Sequence, residues 1–153
     1  MAFRRVLIAT DFSDCSDAAA AEGIRVADAF GADVLFLHVF DVGHLPIISA
    51  YPYYYGQINQ QMVDDMRVRA EEALATFAKK HAAARAADHR MVVGAPAAQI
   101  LEQAKSWGAS VIVIGSHGIG KVRELLGSVV HTIVRQAPCP VLSVPHVSED
   151  VKT

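Results

Sequence analysis

Cysteine is scarce, charge of one sign is nearly absent in excess, and no long hydrophobic run occurs. Cys15 and Cys139 are the only cysteines in 153 residues, too few for the disulfide framework of a small secreted domain. Lys and Arg number 14 against 16 Asp and Glu, a formal net charge of −2. Nucleic acids and anionic membranes are bound by clustered positive charge, so neither is expected as a partner. No stretch approaches the roughly 18 uninterrupted apolar residues of a membrane span, and Met1–Arg5 runs into a short apolar segment rather than a signal peptide. The expectation is a soluble, cytoplasmic chain. What is present is a folding composition, 52% hydrophobic and 20% charged. The length suits one compact domain that buries roughly two-thirds of its unfolded surface.

Two apolar patterns alternate along the chain. Continuous β-rich runs occur at Arg5–Thr10, Asp33–Val39, His89–Gly94, Ser110–Gly115 and Pro140–Val144. Runs that are apolar at successive positions predict strands buried on both faces, as in a parallel sheet. Helical spacing fills the gaps. Ala20, Ile24, Ala27 and Phe30 share one face, with Ser13 or Asp14 as N-cap and Gly31 just past the end. Met62, Met66, Ala70, Ala73, Leu74, Phe77 and His81 form a long stripe. Pro96 opens a helix through Ile100, Leu101 and Ala104 that Gly108 closes. A last stripe runs from Val122 to Val134, before Pro138.

The order β-α-β-α-β-α-β-α-β predicts a doubly wound α/β sandwich with right-handed crossovers. Ligands of such sheets bind beyond the carboxyl ends of the strands, where strand order reverses. The segments after Thr10, Val39, Gly94 and Ile114 are therefore the places to search. Phe40–Gln61 is a long connection holding Tyr51, Tyr53, Tyr54 and Tyr55. It reads either as a flap beside the ligand or as a surface loop.

After the fourth strand stands Gly115-Ser116-His117-Gly118-Ile119-Gly120-Lys121, followed by Gly127-Ser128. A glycine-rich turn feeding a helix start lets backbone N–H groups approach phosphate, and the helix dipole favours the negative charge. Gly115 to Lys121 matches the start of a Walker A loop, but Val122 stands where its Ser or Thr belongs. The dinucleotide fingerprint fails too, with Arg123 at its third glycine. At the end of the first strand, the Asp11 carboxylate reads either as a ligand acceptor or, with Ser13, as a cap of the following helix. A receiver-domain reading is weak, because Gly94-Ala95-Pro96 follows the third strand where the acceptor aspartate belongs. The polar singletons show no metal-ligand spacing. They show no nucleophile–base–orienter set either. His38 reads as a satisfied core or rim histidine, and His117 either as a contact to phosphate or as a turn-stabilising residue.

In combination, Val6–Ser13, Leu37-His38-Val39, Val93–Pro96, Ile112–Gly118, Leu126–Val129 and Ala137–Leu142 resemble the universal stress protein family, in order and over nearly the whole chain. The resemblance implies residues 1–147 as one nucleotide-binding domain with a polar tail at 148–153. It also implies a five-stranded parallel sheet of order 3-2-1-4-5 in a protein that is usually a dimer. The terminal run Pro140–Val144, read as an edge strand with unpaired backbone groups, predicts pairing of two copies through that strand.

ATP-binding members carry G-x-x-G, nine residues, then G-[S/T]. Here Gly115–Gly118 and Gly127-Ser128 match, with eight residues, Ile119 to Leu126, between them. Carried over by position, Asp11 contacts the adenosine end, with Ala9 and Thr10 beside it. Val39 and Ile114 line the adenine pocket through their backbone. Gly115 and Gly118 approach the phosphates, and Gly127, Ser128 and Val129 hold them. The implied cofactor is ATP, with Mg²⁺ or Mn²⁺ held through its phosphates. The implied role is regulation in a stress response, with a regulatory protein partner and at most slow ATP hydrolysis. A family member that does not bind ATP and acts as a protein-interaction dimer is the alternative. Two readings of Gly127 are open: a packing glycine within one helix from Val122 to Val134, or the end of a turn before a new helix at Ser128.

Overall fold

The computed structural model describes residues 2–44, 59–118 and 127–146. The strands are β1 (Arg5–Thr10), β2 (Asp33–Phe40), β3 (Asp88–Val93), β4 (Val111–Gly115) and β5 (Val141–Val144). The helices are α1 (Asp14–Phe30), α2 (Gln60–His81), α3 (Pro96–Trp107) and α4 (Ser128–Gln136), with a 3-10 turn at Val42–His44. The five strands form one parallel sheet of order β3-β2-β1-β4-β5. The order reverses between β1 and β4, as the sequence predicts for a doubly wound domain.

Alternation along each strand splits the core into two layers. Val6, Ile8 and Phe36 face α1 and α2, where Leu74 and Phe77 meet them. Leu7, Ala9, Leu37 and Ile112 face α3 and α4, packing on Ile100 and Ile133. Helix ends follow from local chemistry. Ser13 caps α1 by accepting from the Ser16 N–H, and Asn59 caps α2 by accepting from the Met62 N–H. Gly31 and Gly108 close α1 and α3 with φ of 62° and 70°, a left-handed conformation that side chains resist. Asp17 joins α1 to α2, accepting from Lys80 Nζ at 2.9 Å and His81 Nε2 at 2.6 Å. Burial pushes the Asp17 carboxyl up, but those two hydrogen bonds outweigh it and hold it below its ordinary 3.8.

Several details differ from the sequence pattern. Phe30 is 48% exposed rather than buried; at the last turn of α1 its ring meets that of Phe3 edge-on, with centroids 5.2 Å apart. Ala73 is exposed on α2, whose buried residues are Leu74, Phe77 and Ala78. At the long connection, β2 continues through Phe40 and α2 already begins at Gln60. Residues 45–58, with the four tyrosines and the flap reading, lie outside the described residues, as do Ile119 to Leu126 and residues 147–153. A new helix does begin at Ser128, with Gly127 as its N-cap. Among the described residues no helix is long and apolar enough to cross a membrane.

Gly115 ends β4 directly against α1. A Cβ there would lie 2.7 Å from Cys15 Cβ and 2.8 Å from the Cys15 carbonyl carbon, so backbone would have to move. Gly115→Ala is expected to destabilise the fold by roughly 1–3 kcal/mol, the usual cost of overpacking. Urea unfolding measures this, and an unchanged midpoint would contradict the contact.

Candidate functional site

The site begins where the chain leaves β1. Asp11 Oδ1 accepts from the Ser13 N–H at 3.0 Å and from the Ser16 hydroxyl at 2.7 Å. The Asp11 N–H in turn donates to Ser16 Oγ at 3.1 Å. Ser16 is buried at 3% exposure, whereas Asp11 and Ser13 are half-buried. The capping reading of this turn therefore holds: Ser13 caps α1, and Asp11 braces the turn with Oδ1. No described residue hydrogen-bonds to Oδ2, which lies 2.8 Å from where a Cβ on Gly118 would stand.

Phe12 next takes a left-handed φ of 64°, rare for a bulky residue. Its N–H donates to Thr10 Oγ1 at 3.0 Å. Its ring lies on His38 with centroids 4.4 Å apart and meets Phe77 edge-on. His38 Nδ1–H donates to the Thr10 carbonyl oxygen at 2.8 Å, which fixes the tautomer because a carbonyl only accepts. Burial pushes the His38 imidazole below its ordinary 6.5, partly offset by the Thr10 carbonyl and the nearby Asp11 charge.

The second wall is the turn after β4. The Ser116 N–H donates to the Val144 carbonyl at 2.9 Å, and the Ser116 carbonyl accepts from the Gly127 N–H at 3.0 Å. These bonds tie β4, β5 and the start of α4 together. Ser116 Oγ lies 2.6 Å from His117 Nδ1, so the turn-stabilising role expected of His117 is present. Cys15 Sγ lies 3.9 Å from the same nitrogen.

The third element is the bare start of α4. Gly127 offers no capping side chain, and His131 is the first residue whose N–H returns to the Gly127 carbonyl. The N–H groups of Ser128, Val129 and Val130 have no intrahelical acceptor. The start of α3, behind Ala95, likewise lacks a side-chain cap.

These three elements enclose a cavity of about 350 Å³ on the α3–α4 side of the sheet, at the switch point. Ala9, Thr10, Asp11, Val39, Ile114, Gly115, Gly118, Gly127, Ser128 and Val129, the residues singled out in the sequence, all border it. Sequence reasoning missed Ser16, Leu37, Pro96, Ile100 and Val130; His117, read there as touching phosphate or stabilising the turn, also lines the cavity. Two of these carried a signal: Leu37 precedes Val39 by one strand repeat, and Ile100 follows Pro96 by one helical turn. Asp11 is the one carboxylate among the described lining residues. The space thus offers an acceptor at one side, amides without an acceptor among the described residues at another, and apolar side chains between.

A doubly wound parallel sheet with a cavity at its switch point defines an open α/β domain of the kind that places ligands beyond its strand ends. The model of the universal stress protein family (Usp) matches residues 2–145, and the chain belongs to that family. It is 34% identical over 143 residues to a universal stress protein of Thermus aquaticus, covering 93% of this chain and 98% of that one. It is similar in fold to the hypothetical protein MJ0577, with a TM-score of 0.79 and 24% identity, over 97% of this chain and all of that one. A universal stress protein solved in complex with cAMP matches at a TM-score of 0.66 and 26% identity, over 95% of this chain and 98% of that one.

The depressed His38 value gives stability a pH dependence of known sign. Below about 6.5 the unfolded chain takes up a proton that the folded chain refuses. The His38 contribution is therefore complete above 6.5 and is lost as pH falls toward the lowered folded value. In urea titrations at pH 7.5 and 5.5, His38→Asn should show a smaller stability difference between the two pH values than the parent. An equal difference would contradict the assignment.

Proposed function

We propose that this protein binds adenine nucleotide, with ATP as the ligand, and that the nucleotide acts as a regulatory ligand in a stress-response protein. The observation that carries the reading is the meeting, in one cavity, of the Asp11 carboxylate with the Ser128, Val129 and Val130 amides, which find no acceptor among the described residues. Phosphate suits those amides, because a helix start without a side-chain cap combines free donors with the positive end of the dipole. Asp11, beside Ala9 and Thr10, suits the nucleoside end, where hydroxyl and amino groups donate. Leu37, Val39, Ile100 and Ile114 supply the apolar walls a base requires. The volume of about 350 Å³ falls in the range of small-molecule pockets, roughly 300–1,000 Å³. The cAMP complex of a relative supports the same ligand class.

A divalent cation is a different matter. Among the described residues no group of three metal-ligating side chains comes together, and Asp11 Oδ1 is already committed to the α1 turn. Mg²⁺ or Mn²⁺ would accordingly be carried on the phosphates. On this reading residues 1–147 are the nucleotide domain, residues 148–153 are a tail, and the protein works in the cytoplasm.

Calorimetry with ATP tests the reading. Binding is expected in the parent, and Gly118→Val should fold yet lose at least about tenfold in affinity, a difference of about 1.4 kcal/mol. The branched side chain would crowd the cavity and drive into Asp11 Oδ2. No heat from ATP at millimolar concentration would refute the proposal, and full affinity in a folded variant would place the phosphates elsewhere.

We infer further that two copies pair through β5, with a regulatory protein as an additional partner. This strand stands at the sheet edge, is four residues long, and leaves Leu142 37% exposed. Pairing about a two-fold axis would cover both edges with one contact. Sedimentation at micromolar concentration should show a dimer that Leu142→Lys weakens, and a parent that runs only as monomer would contradict the pairing.

A further inference from the structure

We propose that His38, on the sheet face opposite the cavity, is a positioning residue that aims Asp11 at the ligand. The inference deepens the nucleotide reading and rests on it for the identity of the ligand. The peptide unit joining Thr10 to Asp11 is held at both ends. His38 Nδ1–H donates to its carbonyl at 2.8 Å, and its N–H donates to Ser16 Oγ at 3.1 Å. A peptide plane held on both sides fixes the N–Cα bond of Asp11, and the bonds from the Ser13 N–H and the Ser16 hydroxyl to Oδ1 then settle where its side chain points. Ser16 then holds Oδ1, which leaves Oδ2 turned toward Gly118.

Phe12 locks the tether from the other side. Its left-handed backbone sends consecutive side chains to opposite faces of the sheet, Asp11 to the cavity and Phe12 onto the His38 ring. A bulky residue in that conformation costs on the order of 1–3 kcal/mol, and it persists where the surroundings over-determine it. Here the surroundings are the His38 ring, the Phe77 ring and the Thr10 hydroxyl. The orientation of a ligand-facing carboxylate is thus set by an imidazole that never reaches the ligand.

The test separates the hydrogen bond from packing. His38→Asn and His38→Leu both lose the ring stacked on Phe12, but only Asn keeps a donor close to the position of Nδ1. If His38 matters only as filler, affinity will follow stability and Leu will equal or exceed Asn. If His38 holds the peptide, the order reverses: ATP affinity falls roughly three- to tenfold in His38→Leu and recovers to near the parent in His38→Asn. Inorganic triphosphate, which lacks the nucleoside end, should bind the two variants alike. Should His38→Leu not fold, His38→Ala serves the same comparison.

Amide exchange in the ligand-free protein supplies a second readout. The Asp11 and Phe12 amides should exchange faster in His38→Leu than in His38→Asn. Equal ATP affinity and equal exchange in the two variants would overturn the proposal. A parent that binds no ATP would instead overturn the nucleotide reading, and the exchange rates would still decide whether His38 holds the turn.

Discussion

The hydrogen bonds that turn the chain out of β1, from the Ser13 amide and the Ser16 hydroxyl to Asp11 Oδ1, set everything else at the ligand end of the sheet. They start α1 at a fixed angle, and that angle brings the Cys15 backbone onto Gly115. Gly115 in turn places the turn after β4, whose Ser116 carbonyl receives the Gly127 N–H and so fixes the start of α4. One short polar network therefore reaches, through two close backbone approaches, the helix start that would hold phosphate. Burial of its Ser16 end matters because a hydroxyl–carboxylate bond away from water is stronger than one competing with it.

The two faces of the sheet divide the tasks. On the α1–α2 side, helix starts are capped by Ser13 and Asn59, and Asp17 bonds to Lys80 and His81 across the helix pair. On the α3–α4 side, both helix starts lack side-chain caps. Unmet amides weaken a helix by roughly 1 kcal/mol compared with a good cap. Pro96 of α3 and Ser128 of α4 both border the cavity; proline has no N–H to satisfy, so it is at α4 that a ligand can supply missing acceptors. The apolar layers behind each face keep the sheet rigid while the ligand end stays open.

Much of this fold is legible in the sequence, for a physical reason. Strands buried on both faces must be apolar at successive positions, so RVLIAT and SVIVIG give their strands to within a residue. Helix ends marked by Ser13, Gly31, Pro96 and Gly108 are equally plain, because each residue type answers a specific backbone need. Burial at element ends is less legible: Phe30 fits the helical stripe, yet the stripe does not say where the sheet beneath it stops. The break at Gly127 is open in the sequence because a packing glycine and a capping glycine read the same. The site residues drawn from the family resemblance surround one cavity, but their structural parts differ from the pattern. Gly115 is required by the close approach of α1, whatever it does for phosphate. Ser16 and His38 escape pattern reading because they act through the backbone of Thr10 and Asp11, and such contacts leave no periodic trace.

The most direct test of the central claim is a crystal structure of the protein grown with ATP. The account predicts the base against the apolar wall of Val39 and Ile114, the sugar within hydrogen-bond reach of Asp11 Oδ2, and phosphate oxygens on the amides of Ser128 to Val130. Nucleotide bound at any other place, or a cavity holding only water at saturating ATP, would contradict it.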